Sequence, residues 1–314
     1  MILRGPGLTP TAPDGKIPSP MPTSPWLLAA GATPFWGASA FAFGLVVGSF
    51  ANVCIHRLPR EESIVRPRSR CPGCGAPVAA RDNVPLLSYL WLRGRCRSCR
   101  SPISPRYPAV EAGNGLMYLG VAVLKGPTPA ALVTMAFLTA LLVLALIDLD
   151  WHILPNLITR PGIAAGIASS VWLEVPTPLG AGLLRLVCPP LCLPVAVLEA
   201  ASAAALGYLS LALLTGVAWL YYRYVKKEDV EAMGRGDWKL MAMIGAFRGS
   251  QGMWLGGFVG TLLGSVAGIV LVATRRGTGR TQIPLGTFLC AGSVIEVFFG
   301  ARLLAWYRGL FAIG

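Results

Sequence analysis

Three aspartates stand where apolar runs of this chain end or begin. The stretch ALIDLDWHILPN (Ala145 to Asn156) closes a long uncharged segment with Asp148 and Asp150, and GRGDWKL (Gly234 to Leu240) opens another with Asp237. A carboxylate at a membrane edge is costly unless it is solvated, paired or put to use. Carboxyls supplied by two distant segments suit general acid–base work. The ionised one takes a proton from an attacking water, and the protonated one donates to the developing oxyanion. Two residues apart on a helix, Asp148 and Asp150 diverge by about 200°, so only one of them can face Asp237. Gly234 and Gly236 let the backbone bend beside Asp237 and let an extended peptide approach closely. The competing reading makes all three interfacial carboxylates, solvated or paired with Arg235 or Lys239. Position alone does not separate the two.

Four cysteines form a second constellation. Cys71-Pro-Gly-Cys74 and Cys96-Arg-Ser-Cys99 are two CxxC knuckles separated by 21 residues. Each tight turn presents two sulfurs, and four thiolates close a tetrahedral zinc shell. With every position filled by Cys no site remains for water, so the metal expected here is structural. Neighbouring arginines help to hold the thiolates deprotonated. Two disulfides are the rival, which a reducing compartment disfavours.

The elements that must position these groups follow from composition. Of 314 residues 54% are hydrophobic and 13% charged, the balance of a polytopic membrane protein. Apolar stretches read as spans at 34–55, 108–124, 126–147, 155–173, 200–222, Leu240–Phe247, 249–274 and 283–307, eight in all. From Arg57 to Arg106 there are eleven Arg and no Lys against Glu61, Glu62 and Asp82, so this loop carries +8 of the net +13. The positive-inside rule makes it cytoplasmic. The same model puts Lys226, Lys227, Arg275 and Arg276 inside. The sixth span is the weak element: eight residues cover about 12 Å as a helix against a core of roughly 30 Å. Without it the Arg275–Arg280 loop would lie outside, so a short or broken crossing is expected.

The fold class expected is therefore an all-α polytopic membrane protein of about eight transmembrane helices, with a small cytoplasmic zinc-binding loop domain between spans one and two. Its parts are a Pro-rich N-terminal tail (1–33), a first span (34–55), a cytoplasmic domain that binds zinc through its four cysteines (56–107) and a transmembrane domain carrying the aspartates (108–310). The segment 175–197, broken by proline, is expected in a long outside loop. Cys188 and Cys192 within it either pair or are inert, while Cys54 and Cys290 read as apolar packing. His56 and His152 read as interfacial. Glu296, inside the last span, reads as structural, with Arg302 less than two turns on as its partner.

These residues together resemble a known family, the type IV prepilin leader peptidases, GxGD-type intramembrane aspartyl proteases of which many also methylate the new N-terminus. The resemblance runs in order from about residue 44 to 290, through GSFANVCIHRLP (48–59), DNVPLLSYLWLRGRCRSCRSPISPRYPAVE (82–111), IDLDWHILPN, GRGDWKLMAMIGAFRG and IPLGTFL (283–289). It implies that Asp148, seven residues before Pro155, and Asp237 of the GxGD motif are the catalytic pair. It implies a prepilin or type II secretion pseudopilin substrate with a short basic leader ending in Gly. That leader is cut at the cytoplasmic face of the bacterial inner membrane. The resemblance also implies N-methylation from S-adenosylmethionine, although no GxGxxG turn after a strand marks a nucleotide-type site. The partners expected are the substrate and the lipid bilayer, without nucleic acid. Two other classes compete: an ion-coupled transporter whose aspartates bind a cation near the midplane, which an internal repeat would accompany, and a non-enzymatic scaffold that docks a factor on its zinc loop. No repeat is visible.

Overall fold

A computed structural model describes residues 33–173, 195–227, 234–274 and 283–311. Most of the described residues are helical, the stretch 61–105 being largely turns, and among them there are isolated bridges in place of strands. The helices are α1 (Thr33–Arg57), α2 (Leu87–Trp91), α3 (Arg106–Lys125), α4 (Pro129–Trp151), α5 (Asn156–Ser169), α6 (Val195–Tyr221), α7 (Arg235–Ala273) and α8 (Leu285–Phe311). The tail before residue 33, most of the segment 175–197 with Cys188 and Cys192, and the loop bearing Arg275 and Arg276 lie outside the described residues.

Helix α4 is the hub, because it is apolar on every face, the pattern of a helix surrounded by others. Its start is set by Thr128, whose hydroxyl accepts from the Ala131 N–H, and by Pro129 in the first turn. Phe137, Leu138, Leu141, Leu144 and Ile147 are at most 2% exposed, and the first four pack in one core with Leu240, Met243 and Ile244 of α7. A polar thread crosses this core: Asn114 on α3 donates to Gly44 O on α1 at 2.8 Å, and Thr139 on α4 donates to Asn114 Oδ1 at 2.8 Å. Buried amide and hydroxyl groups are thereby paired across three helices, avoiding the desolvation cost of a lone polar group. At the end of α4, His152 takes a left-handed conformation (φ 54°) and closes on Asp148 O, and Pro155 then starts α5.

Among the described residues five helices are long and apolar enough to cross a membrane: Pro34–Arg60, Pro129–Trp151, Val195–Lys226, Arg235–Ala273 and Leu285–Leu310. The 39 residues of α7 do not run straight. A Cβ placed on Gly257 would stand 2.5 Å from Met241 Cε, whereas sixteen residues of continuous helix put about 24 Å between them. The chain reverses at Gly249, whose φ of 66° is open to glycine and strained for other residues. Limb 235–248 rises beside α6, and limb 250–273 returns along α8, with Gly256 against Ser293 and Gly260 against Leu289. The break expected around Arg248 from the charge rule is thus a helical hairpin.

Two buried carboxylates hold the reversal. Arg248 donates from Nε and Nη2 to the two oxygens of Glu296 at 2.7 and 2.8 Å. Glu199 on α6 accepts from the Ser250 hydroxyl at 2.7 Å and from its N–H at 3.3 Å. The partner of Glu296 is therefore Arg248 across the helix interface. Arg302, the partner expected from the sequence, is exposed, because its spacing along α8 carries it away from the buried face.

Candidate active site

Asp148 and Asp237 converge where α4 ends, α7 begins and α8 begins. They are 5% and 8% exposed and lie close enough to act electrostatically on one another and on the buried Cys290 thiol. Among the described residues neither forms an ion pair, and the Asp237 carboxyl accepts no hydrogen bond, its backbone N–H donating to Gly234 O. Lys239, the cation nearest in sequence on α7 after Arg235, donates to Asn156 Oδ1 instead at 2.7 Å. Among the described residues, then, these two carboxyls are neither exposed to solvent nor paired with a cation.

The cation-paired reading holds for Asp150. Pointing away from Asp148, as helical geometry requires, Asp150 pairs with Arg106 at 2.7 Å, and Arg106 also donates to Leu146 O. The pair ties the end of the cysteine loop to the end of α4.

Leu154, on the turn between α4 and α5, is the spacer of the site. A Cβ on Gly236 would lie 3.0 Å from Leu154 Cβ, and a Cβ on Gly286 would lie 3.0 Å from Leu154 Cδ1 and 2.9 Å from Asp148 Oδ2. Two glycines thus let three elements close around one leucine. Gly234 differs, with ordinary extended backbone (φ −70°, ψ 140°) and only Asp237 Oδ2 and the Gly236 N within 4 Å of such a Cβ. The bend before α7 does not require glycine there. Pro155 caps α5, its carbonyl accepting from the N–H groups of Ile158 and Thr159.

Sequence reasoning assigns no role to Thr287. Its N–H donates to Asp148 Oδ2 at 2.7 Å, and its hydroxyl lies 3.1 Å from the same oxygen and 3.0 Å from Ala145 O. Asp148 thus occupies the N-terminus of α8, where free N–H groups and the helix dipole favour a negative charge. The signal available in IPLGTFL is a hydroxyl in the first turn after a proline. Nothing in that stretch indicates its partner 139 residues earlier.

The cysteines also meet. The sulfurs of Cys71, Cys74, Cys96 and Cys99 all lie within 4.8 Å of one another, and Cys71 and Cys99 are 3.8 Å apart. A tetrahedron with Zn–S near 2.3 Å has edges of about 3.8 Å, so the four residues fit zinc. Each knuckle is the same turn: Cys71 N–H to Ala76 O and Gly75 N–H to Cys71 O, then Cys96 N–H to Ser101 O and Arg100 N–H to Cys96 O. The Ser101 hydroxyl, then the backbone N–H groups of Cys74 and Gly73, draw the Cys71 thiol down to about 6. Cys74, despite the backbone N–H of Ala76, is pushed up to about 11, with the Cys99 sulfur the main opposing influence. Four thiolates crowded this closely need a cation to coexist. Nearby, the Arg97 guanidinium hydrogen-bonds Asp82 at 2.8 Å and holds its carboxyl below the usual carboxylate range.

The chain is similar to known proteins over most of its length. Residues 42–124 match the bacterial peptidase A24 N-terminal domain, and residues 135–273, which contain both aspartates, match the type IV leader peptidase family. A prepilin leader peptidase/N-methyltransferase of Myxococcus xanthus is 41% identical over 79% of this chain and 67% of its own length. One of Aeromonas hydrophila is 34% identical over 89% and 96%, and one of Pseudomonas aeruginosa is 32% identical over 84% and 90%. No solved structure matches the chain. With likeness running through both the cysteine loop and the aspartate-bearing helices, this multi-pass membrane protein belongs to the type IV leader peptidase family.

Proposed function

We propose that Asp148 and Asp237 are the catalytic pair of a membrane-embedded aspartyl endopeptidase. It removes the basic leader of type IV prepilins or type II secretion pseudopilins and N-methylates the residue so exposed. The observation that carries the assignment is the convergence, from helices far apart in sequence, of two buried carboxyls that have no cation partner among the described residues. In a low-dielectric site two such groups share one proton. The ionised carboxyl takes a proton from water as its oxygen attacks the scissile carbonyl, and the protonated carboxyl donates to the carbonyl oxygen. Collapse of the tetrahedral intermediate, with a proton delivered to the leaving nitrogen, releases the leader. The apolar Gly236–Leu154–Gly286 packing covers one side of the pair and keeps both carboxyls buried. A cation carrier is not favoured, since these carboxyls stand at helix ends on one side of the bundle.

The membrane reading goes with it. The hairpin at Gly249 supports counting α7 as two crossings, and with the 20 residues of α3 and the 14 of α5 the chain makes eight. The Arg-rich loop, and with it the pair, then faces the cytoplasm of a bacterial inner membrane. The domains are 1–33, 34–55, 56–107 and 108–310 as read from the sequence. Cys71, Cys74, Cys96 and Cys99 would hold one structural zinc that pins the loop. Methylation rests on family membership. S-adenosylmethionine would supply the methyl group, and the described residues assign it no pocket.

The test is leader removal from a model prepilin co-expressed with wild type, Asp148→Asn, Asp150→Asn or Asp237→Asn. Cleavage lost with Asp148 and Asp237 and kept with Asp150 is the expected result. Cleavage surviving both losses in protein that still reaches the membrane overturns the assignment.

A further inference from the structure

Helix α2 exposes an apolar face that no other described element covers. Leu87, Leu90 and Trp91 are 63%, 69% and 83% exposed, and their spacing of three and four residues puts them on one side of the turn. In a soluble loop such a face would be a liability. Its height in the molecule gives it a use.

The Leu86 N–H donates to Glu111 Oε2 at 2.9 Å. Glu111 is the sixth residue of α3, about 7.5 Å along its axis from Arg106, and its Cα is the near neighbour of Gly48, well inside α1. The 20 residues of α3 span about 30 Å, the thickness of a hydrocarbon core, so Arg106 marks one face of that core. From Leu86 to Trp91 the chain advances only about 7.5 Å as helix. Even if the Glu111 side chain and α2 both pointed straight out of the membrane, Trp91 would stand only about 7 Å beyond the level at which α3 starts, within the headgroup layer that flanks the core. The exposed face therefore stands at headgroup depth, where a tryptophan with an apolar body and a polar N–H is at home. Arg93 and Arg95, both exposed, follow at once, within the loop that carries +8 of the chain's charge. Basic groups beside an apolar face favour anionic lipid.

We propose that α2 is an interfacial foot, with Leu87, Leu90 and Trp91 inserted into the anionic inner leaflet of the chain's own membrane and Arg93 and Arg95 on its phosphates. The foot holds the cysteine loop against the bilayer, beside the end of α4. The inference uses the membrane reading of the helices and is independent of the catalytic roles of the aspartates.

Full-length protein in nanodiscs of phosphatidylcholine and phosphatidylglycerol tests it. Hydroxyl-radical footprinting is expected to leave the peptide bearing Leu87, Leu90 and Trp91 oxidised several-fold less than the one bearing Val65, an exposed loop residue of similar accessibility (77%). The fluorescence difference between wild type and Trp91→Phe is expected to be quenched by brominated acyl chains and spared by aqueous iodide. Protection is expected to weaken when phosphatidylglycerol is left out. Oxidation equal to that of Val65, or quenching by iodide alone, overturns the proposal. Protection that appears only after a leader-bearing peptide is added makes the face a substrate surface and overturns it equally. The Asp237→Asn chain is expected to give the wild-type footprint, so loss of the peptidase assignment would leave this result readable on its own.

Discussion

The Thr287 hydroxyl sits between two acceptors, Asp148 Oδ2 at 3.1 Å and Ala145 O at 3.0 Å, while its own N–H holds the same Oδ2 at 2.7 Å. A hydroxyl has one proton to give and lone pairs to receive with. Towards an ionised Asp148 it donates. Towards a protonated Asp148 it turns its proton to Ala145 O and accepts from the acid. The contact thus serves both protonation states through which a catalytic carboxyl passes, and it fixes which oxygen of Asp148 is engaged.

Thr287→Val keeps the N–H and the shape but removes the hydroxyl. Loss of one hydrogen bond to a group that carries charge for part of the cycle, about 1.5 kcal/mol, is expected to lower kcat/KM for leader removal roughly tenfold. Thr287→Ser is expected to stay within a small factor of wild type. The check is a cleavage time course on a model prepilin with equal amounts of each variant. Equal rates for Val and wild type would reduce the hydroxyl to packing.

Gly286→Ala addresses the same carboxyl from the other side. The new methyl would stand 2.9 Å from Asp148 Oδ2 and 3.0 Å from Leu154 Cδ1, closer than side chains tolerate, so Asp148 or Leu154 must shift. Misplacement on the scale of an ångström is expected to cost about a hundredfold in cleavage. Circular dichroism and melting in detergent should stay close to wild type, since α8 gains a better helix former. Gly234→Ala, at a position with room to spare, is expected to cleave nearly normally.

The difference between these glycines shows which parts of the site the sequence could reveal. Asp148, Asp237 and the four cysteines are legible because their chemistry is written in residue type and local spacing, and the turn of Asp150 away from the site follows from helical geometry. The expectation of a break between residues 240 and 250 follows from charge balance, while the reversal at Gly249 does not, because a hairpin and a kink share one local pattern. Thr287 and the Arg248–Glu296 pair are hidden for the same physical reason. Each is a contact between helices whose register is fixed by packing, and nothing near Glu296 in sequence favours Arg248 over Arg302. Leu87, Leu90 and Trp91 read only as part of a resemblance, because their exposure depends on where Glu111 anchors the loop.

Removal of the metal separates the loop from the bundle. The loop offers little core of its own: none of its residues from 58 to 105 is buried, so four ligands are its main constraint. Purified protein is expected to carry one zinc per chain by elemental analysis, and Cys74→Ser or a strong chelator to abolish it. Limited proteolysis should then cut between residues 60 and 105, while helix content of the bundle remains. A loop that stays resistant without metal would show that the turns at Cys71 and Cys96 suffice by themselves.

The far end of the bundle yields the last expectation. Glu296 is buried and its charge is matched by the two-point contact from Arg248, so removing one partner strands the other in an apolar setting. Arg248→Met alone is expected to destabilise the protein by about 3–5 kcal/mol, while Arg248→Met with Glu296→Met recovers most of that, because a buried ion pair and a packed apolar pair are often nearly equivalent. Gly249→Ala is expected to cost about 1–3 kcal/mol independently, because a backbone at φ 66° and ψ −179° is open essentially to glycine alone. Thermal unfolding in one detergent gives all of these values. A double mutant as unstable as the single one would mean that the reversal needs this ion pair for its geometry, and that the short limb carrying Asp237 is held in place from its opposite end.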